Sequence, residues 1–185
     1  MKIKLENVRL SFADLFEPVQ FDGKGPFNYG CSLLVPEHDA QRKKIDEAIA
    51  QVAKDKWGAK AGAVMAGLEG NPQKICWVDG KKREYEGYPG NWALSTKRGQ
   101  DKGRPLILDQ QKNPVVAADG KVYSGCYVNA SIEFWAQDNG FGKGVRCTLL
   151  GVQKNRDGDA FTAGSAASPD DFEALAEGAT ADDLV

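Results

Sequence analysis

The chain has 185 residues, room for one domain with a substantial core but cramped for two. Its 24 basic and 26 acidic side chains nearly cancel, yet Asp157–Val185 holds eight carboxylates and no Lys or Arg, so the first 156 residues keep 24 basic against 18 acidic groups. A basic body joined to an acidic tail points to a polyanionic partner with a built-in competitor for its site, and the lack of a leader-like start or a run of about 18 apolar residues reads as a soluble, cytosolic chain with no membrane partner.

In chain order, the opening KIKLENVRLSF alternates Ile3 and Leu5 with charged neighbours, then shifts phase so that Val8, Leu10 and Phe12 take the inward positions; a strand with a bulge near Asn7 fits. FEPVQFDGKGPF is broken by Pro18, Gly23, Gly25 and Pro26 into a surface loop. In FNYGCSLLVP, Phe27, Tyr29, Cys31, Leu33 and Val35 share one face at period two. Helical spacing follows from about Asp39 to Trp57, where Ile45, Ala48, Ile49 and Val52 form a stripe, Asp39 caps the start and Gly58 ends it; a second short helix fits Lys60 to Met65.

From Gln73 the chain reads as short strands between Gly, Pro, Asn and Asp: KICWV, REYEG, NWALSTK, PLILD, GCYVNASIEFWA and GVRCTLLGVQ. The expected architecture is mainly β, an OB-fold-like five-stranded barrel over residues 1–156 with one main inserted helix, followed by a disordered acidic tail over 157–185. In CYVNASIEFW, Cys126, Val128, Ala130, Ile132 and Phe134 face the core, which leaves Tyr127 and Trp135 on a polar face as candidate base-stacking rings.

The densest chemistry lies between Lys81 and Arg104, where Lys81, Lys82, Arg83, Lys97, Arg98, Lys102 and Arg104 are interleaved with Tyr85, Tyr88 and Trp92. Cations attract phosphates and flat rings accept any base, which is the combination that unpaired nucleic acid requires. Phe141, Lys143 and Arg146 repeat it after the turn at Asp138–Gly140. Against an enzyme stand the single His38, the lack of a strand carboxylate followed two positions later by Lys, and the absence of phosphate-loop, nucleophile-elbow or deaminase motifs. Cys31, Cys76, Cys126 and Cys147 form no CxxC pair and read as buried thiols, so neither metal nor cofactor is expected.

Within the tail, SPDDFEALAEG has helix grammar: Ser168 as cap, Pro169 first, Asp170 and Asp171 near the positive end, with Phe172 and Leu175 on one face. That segment and the terminal Asp182, Asp183, Leu184 and Val185 are the expected partner-binding elements, and the whole tail is expected to compete for the nucleic-acid site.

VRLSFADLFEP, FNYGCSLLVP with its following helix, YSGCYVNASIEFWA and the acidic end together resemble the OB-fold single-stranded DNA-binding proteins of tailed bacteriophages, formerly a domain of unknown function. The likeness runs over most of Met1 to Val152. It implies a protein that coats single-stranded DNA in replication, recombination and repair in the cytoplasm of the infected host, and whose C-terminus engages polymerase, helicase or primase. Related proteins often end in an aromatic residue, where this chain has Leu184 and Val185. Two rival readings are a strand-annealing recombination mediator and a non-enzymatic phage interaction domain; an exposed strand edge would also permit a homodimer.

Overall fold

The computed structural model describes residues 1–161. Its strands are β1 (Lys2–Gln20), β2 (Phe27–Pro36), β3 (Trp77–Asp79), β4 (Asn91–Gly99), β5 (Leu106–Leu108), β6 (Tyr127–Asn139) and β7 (Gly142–Arg156), with helices α1 (Gln41–Trp57) and α2 (Ala61–Leu68) between β2 and β3. β1 pairs antiparallel with β2 and β6, β2 with β4, and β6 with β7. A parallel bridge from Lys97 to Thr148 joins β4 to β7. Strands β1, β2, β4, β7 and β6 therefore close on one another, the five-stranded OB barrel expected from the sequence, while β3 and β5 extend it beside β4 and β7.

Alternation fills the barrel. Leu5, Val8, Leu10, Leu33, Leu94, Val128, Ile132, Phe134, Val145 and Leu149 are sealed from solvent, and all four cysteines are buried and free. Asn7 takes φ 51°, and the register between β1 and β6 slips between Leu5 and Val8, so the phase change in the sequence is a bulge that lets both residues face inward. Phe12 also has positive φ, 49°, and here the expectation fails: a second slip, between Ser11 and Asp14, turns its ring out of the core and leaves it 50% exposed. Further along β2, Cys31, Leu33 and Val35 are buried, whereas Phe27 lies at the exposed end of the strand.

Helix α1 buries Ile45, Ala48, Ile49, Val52 and Ala53 against the barrel, chiefly against β6. Asp39 Oδ1 accepts the Gln41 amide at 2.7 Å, and Gly58 ends the helix with φ 54°. A short 3-10 turn at Gly58–Lys60 carries it into α2.

Three stretches differ from the sequence expectation. The loop expected from Phe16 onward is strand as far as Gln20, where Val19 and Gln20 pair with Asn28 and Phe27 of β2. REYEG is not a strand: Arg83, Tyr88 and Asn91 donate their amides to Gly80, Tyr85 and Tyr88 carbonyls, folding this stretch into consecutive turns that lie against the sheet. The ordered body also runs past Arg156. Asp157 accepts from Lys154 Nζ at 2.7 Å and from the Tyr123 hydroxyl at 3.0 Å, and the Phe161 amide donates to the Ser124 carbonyl at 3.0 Å. A composition poor in apolar groups hid these anchors, because their partners sit on the barrel rather than in the tail. Asp170, Asp171, Phe172, Leu175, Asp182, Asp183, Leu184 and Val185 lie outside the described residues.

Candidate nucleic-acid interface

Strand parity sorts the basic stretch. Leu94 and Thr96 pair with Leu33 and Cys31 and point into the barrel, and Trp92 and Arg98 share their parity. Ala93, Ser95 and Lys97 take the opposite face with Leu34, Ser32 and Gly30 of β2. That outer face has a floor of small side chains. Where nothing larger than serine projects from Gly30, Ser32 and Ser95, a flat ligand and its backbone can approach the sheet closely.

Rings and cations wall this floor. At one end Phe12 and Tyr85 meet edge to face with centroids 5.0 Å apart, and their exposures are 50% and 46%. Arg83 stands 6.0 Å from the Tyr85 ring. Tyr88 packs beneath both, 5.3 Å from Tyr85 and 6.3 Å from Phe12, and is only 2% exposed. At the other end the 80% exposed Phe21, at the turn between β1 and β2, lies 5.7 Å from Lys97 Nζ. Phe16 and Arg104 form a further pair, 6.0 Å apart. Ring faces that remain open beside an ammonium or guanidinium can take bases while the cation meets phosphate.

Of the predicted set, Arg83, Tyr85 and Lys97 stand around this trough, Arg104 pairs with the Phe16 ring that packs against the core, and others lie elsewhere. Tyr88 is a buried support, since its ring has no open face. Trp92 packs on Trp77 with centroids 5.2 Å apart, beneath the Arg42 guanidinium at 4.3 Å, so it joins α1 to the sheet. Arg98 donates to the carbonyls of Gly103 and Lys102, each at 2.7 Å, and so shapes the loop that carries Arg104. Lys81 is paired with Glu37 at 3.0 Å, and each raises the other's preference for its charged form. Lys82 Nζ lies beside Gly70, just after α2.

The remaining candidates lie along the β6–β7 hairpin. Tyr127, at its base, is covered on one face by Arg156 at 3.4 Å, with Arg9 at 5.8 Å. Trp135 is 44% exposed and donates to Thr148 Oγ1 at 3.1 Å. Phe141 is 95% exposed at the hairpin turn, where Lys143 pairs with Asp138 at 2.7 Å and Arg146 donates to the Gln73 carbonyl at 2.7 Å. From Tyr127 to Asn139 the strand climbs about 40 Å at roughly 3.3 Å per residue. Phe141, Lys143 and Arg146 therefore form a separate cluster at the hairpin tip, whereas Trp135, through Thr148, stands beside the Lys97 bridge and adjoins the trough.

Sequence reasoning missed Arg9, Phe12, Phe16, Phe21 and Phe27. The available signal was the recurrence of Phe through a stretch rich in Gly, Pro and charge, which supplies no apolar company to bury those rings.

A closed OB barrel carrying open rings and cations over a floor of small residues defines the class of OB-fold single-stranded nucleic-acid-binding proteins. The chain belongs to the family described as Enterobacter phage Enc34, ssDNA-binding protein, whose model matches residues 1–185. It is 46% identical over 177 residues to protein p50 of Acyrthosiphon pisum secondary endosymbiont phage 1, covering 95% of this chain and 94% of that protein. The single-stranded DNA-binding protein from bacteriophage Enc34, solved in complex with ssDNA, aligns with TM-score 0.72 and 28% identity over 87% of this chain and 89% of that one. Bacteriophage T7 gp2.5, a single-stranded DNA-binding protein, shares the fold with TM-score 0.55 at 13% identity, over 97% of this chain and 99% of that one.

Proposed function

We propose that this phage protein coats single-stranded DNA without sequence preference, laying the strand along the outer face of β1, β2 and β4. The observation that carries the reading is the pairing of open rings with cations, Phe12–Tyr85 with Arg83 and Phe21 with Lys97, across the floor of Gly30, Ser32 and Ser95. Stacking is indifferent to base identity and worth roughly 1–3 kcal/mol per base, while the cations release counterions from the phosphates. A relative of the same family is solved with ssDNA bound, which supports the same ligand here.

The acidic tail completes the proposal. Tethered to the barrel, it is held at an effective concentration on the order of millimolar, so its carboxylates compete with phosphates for the cations and are freed when DNA displaces them. The freed end then recruits replication proteins in the host cytoplasm.

The test is a titration of labelled oligo-dT at two salt concentrations, with the full chain and with a chain ending at Phe161. The reading predicts that log affinity falls with log salt at about −0.7 per phosphate contacted, that base composition matters little, and that the shortened chain binds more tightly at low salt. Failure of the shortened chain to bind in dilute buffer overturns the DNA-binding reading; binding without any gain on shortening overturns the competitor role alone.

A further inference from the structure

The five residues that lead into the tail do not leave the barrel directly. From Asp157, held by Lys154 and Tyr123, the chain runs beside Ser124 and Gly125 so closely that a Cβ on Gly125 would strike the Asp159 carbonyl and Ala160. It ends this course on the outer face of the sheet. There the Phe161 ring packs against Gly87 of the turn segment, where a Cβ would collide with it, and the Leu34 side chain of β2 lies close to the same point. Leu34 has the outward parity of Ser32 and Gly30, so the ring lies on the same sheet face as the trough floor, next to the segment that carries Tyr85.

Arg9 closes the arrangement. Its guanidinium stacks over the Phe161 ring at 4.2 Å, while Nη2 donates to the Asp159 carbonyl at 3.0 Å and Nε to the Gly125 carbonyl at 3.2 Å. A flat ring under a guanidinium, with a carbonyl oxygen accepting from the same guanidinium, reproduces two groups of a nucleotide, a stacked base and a phosphate oxygen.

We propose that the slot bounded by Arg9, Leu34 and Gly87 is a base-binding subsite that Phe161 fills in the free protein and a nucleobase fills in the complex. The proposal rests on the single-stranded DNA-binding reading and extends it by naming one subsite, its cation and its resident occupant. It also makes the exchange local. The ring must swing out for DNA to take the whole face, and the same movement releases Asp159 from Arg9, so the cation becomes available to a phosphate as the base arrives. The chain after Phe161 starts from this face, which places the tail's point of departure beside the cations it is proposed to compete for.

The affinity of a site blocked by its own chain is reduced by the fraction of molecules in which it is open, so a slot open one time in ten costs tenfold. The experiment uses the full chain. Phe161→Ala should tighten oligo-dT binding about five- to tenfold, and adding Arg9→Ala should abolish that gain and bring affinity below that of the unaltered protein, because the cation then serves neither occupant. A purely structural role for Phe161 predicts equal or weaker binding in the Ala variant, and that result overturns the proposal.

A second readout does not depend on the variant's stability. With 4-fluorophenylalanine placed at position 161 alone, the fluorine resonance should move to the position of a solvent-exposed ring as oligo-dT saturates the protein. A resonance that stays unchanged while DNA binds shows that the ring keeps its slot and overturns the proposal, with the DNA-binding reading left standing; no DNA binding at all removes that reading itself.

Discussion

Trp92 is the large aromatic of the basic stretch that sequence alone marks as a base platform, and the fold gives it a different duty. Its ring packs on Trp77 at 5.2 Å and beneath Arg42 at 4.3 Å, on the core parity of β4. Replacing it with Ala removes an aromatic pair worth about 0.5–1.5 kcal/mol and a cation–π contact worth about 0.5–1 kcal/mol. It also forfeits part of the roughly 3–5 kcal/mol lost on truncating a fully buried aromatic, a part only, because the ring is half-buried. These contributions overlap, so the expected loss of stability is about 2–3 kcal/mol, which lowers the urea midpoint by about 1 M. Urea unfolding followed by far-ultraviolet circular dichroism measures the first effect, and an oligo-dT titration in native buffer measures the second. Affinity should stay within about twofold of the unaltered chain. A tenfold loss of affinity with unchanged urea midpoint would refute the argument and return Trp92 to the DNA.

Four further outcomes follow from the same geometry. Tyr85→Ala, at an open ring beside Arg83, should weaken oligo-dT binding by about 1–3 kcal/mol in a fluorescence titration with little change in thermal midpoint. Lys97→Glu should lower both affinity and the slope of log affinity against log salt, by about 0.7 or more, whereas Lys81→Glu, at a lysine already paired with Glu37, should change that slope less. Phe141→Ser, at the distant hairpin turn, should leave oligo-dT affinity within about twofold in the same titration. Asp157 is held below the ordinary carboxylate value by hydrogen bonds from Lys154 and then Tyr123, and Asp138 by those from Lys143 and then Trp57. Both carboxyls are lowered in the folded state, so their stabilisation is complete above about pH 4 and is lost as pH falls through their lower folded values. Thermal melts across that range should show a steeper acid loss for the unaltered chain than for Asp157→Asn, and identical acid profiles would contradict the Asp157 anchor.

The barrel was legible in the sequence because its strands are half-buried: alternation in CYVNASIEFW and the bulge at Asn7 leave a period-two record that burial enforces. The amphipathic stripe of α1 was legible for the same reason. What failed to show was anything decided by a turn or by a neighbour distant in sequence. Phe12 obeys the alternation and still leaves the core, because a second bulge only five residues after the first resets the strand, and that bulge is set by pairing with β2. Tyr88 and Tyr85 stand three residues apart in one loop, yet one ring is sealed and the other open, a difference made by how consecutive turns fold onto the sheet. Charge density located the basic stretch but not its direction: parity sends Lys97 outward and Arg98 to the core side.

The most direct measurement of where the strand lies is ultraviolet cross-linking of oligo-dT to the full chain, with the modified residues identified by mass spectrometry. The account predicts adducts at Phe12, Tyr85 and Phe21 and none at Trp92 or Phe141. Adducts concentrated at Phe141, with the trough rings unmodified, would contradict it.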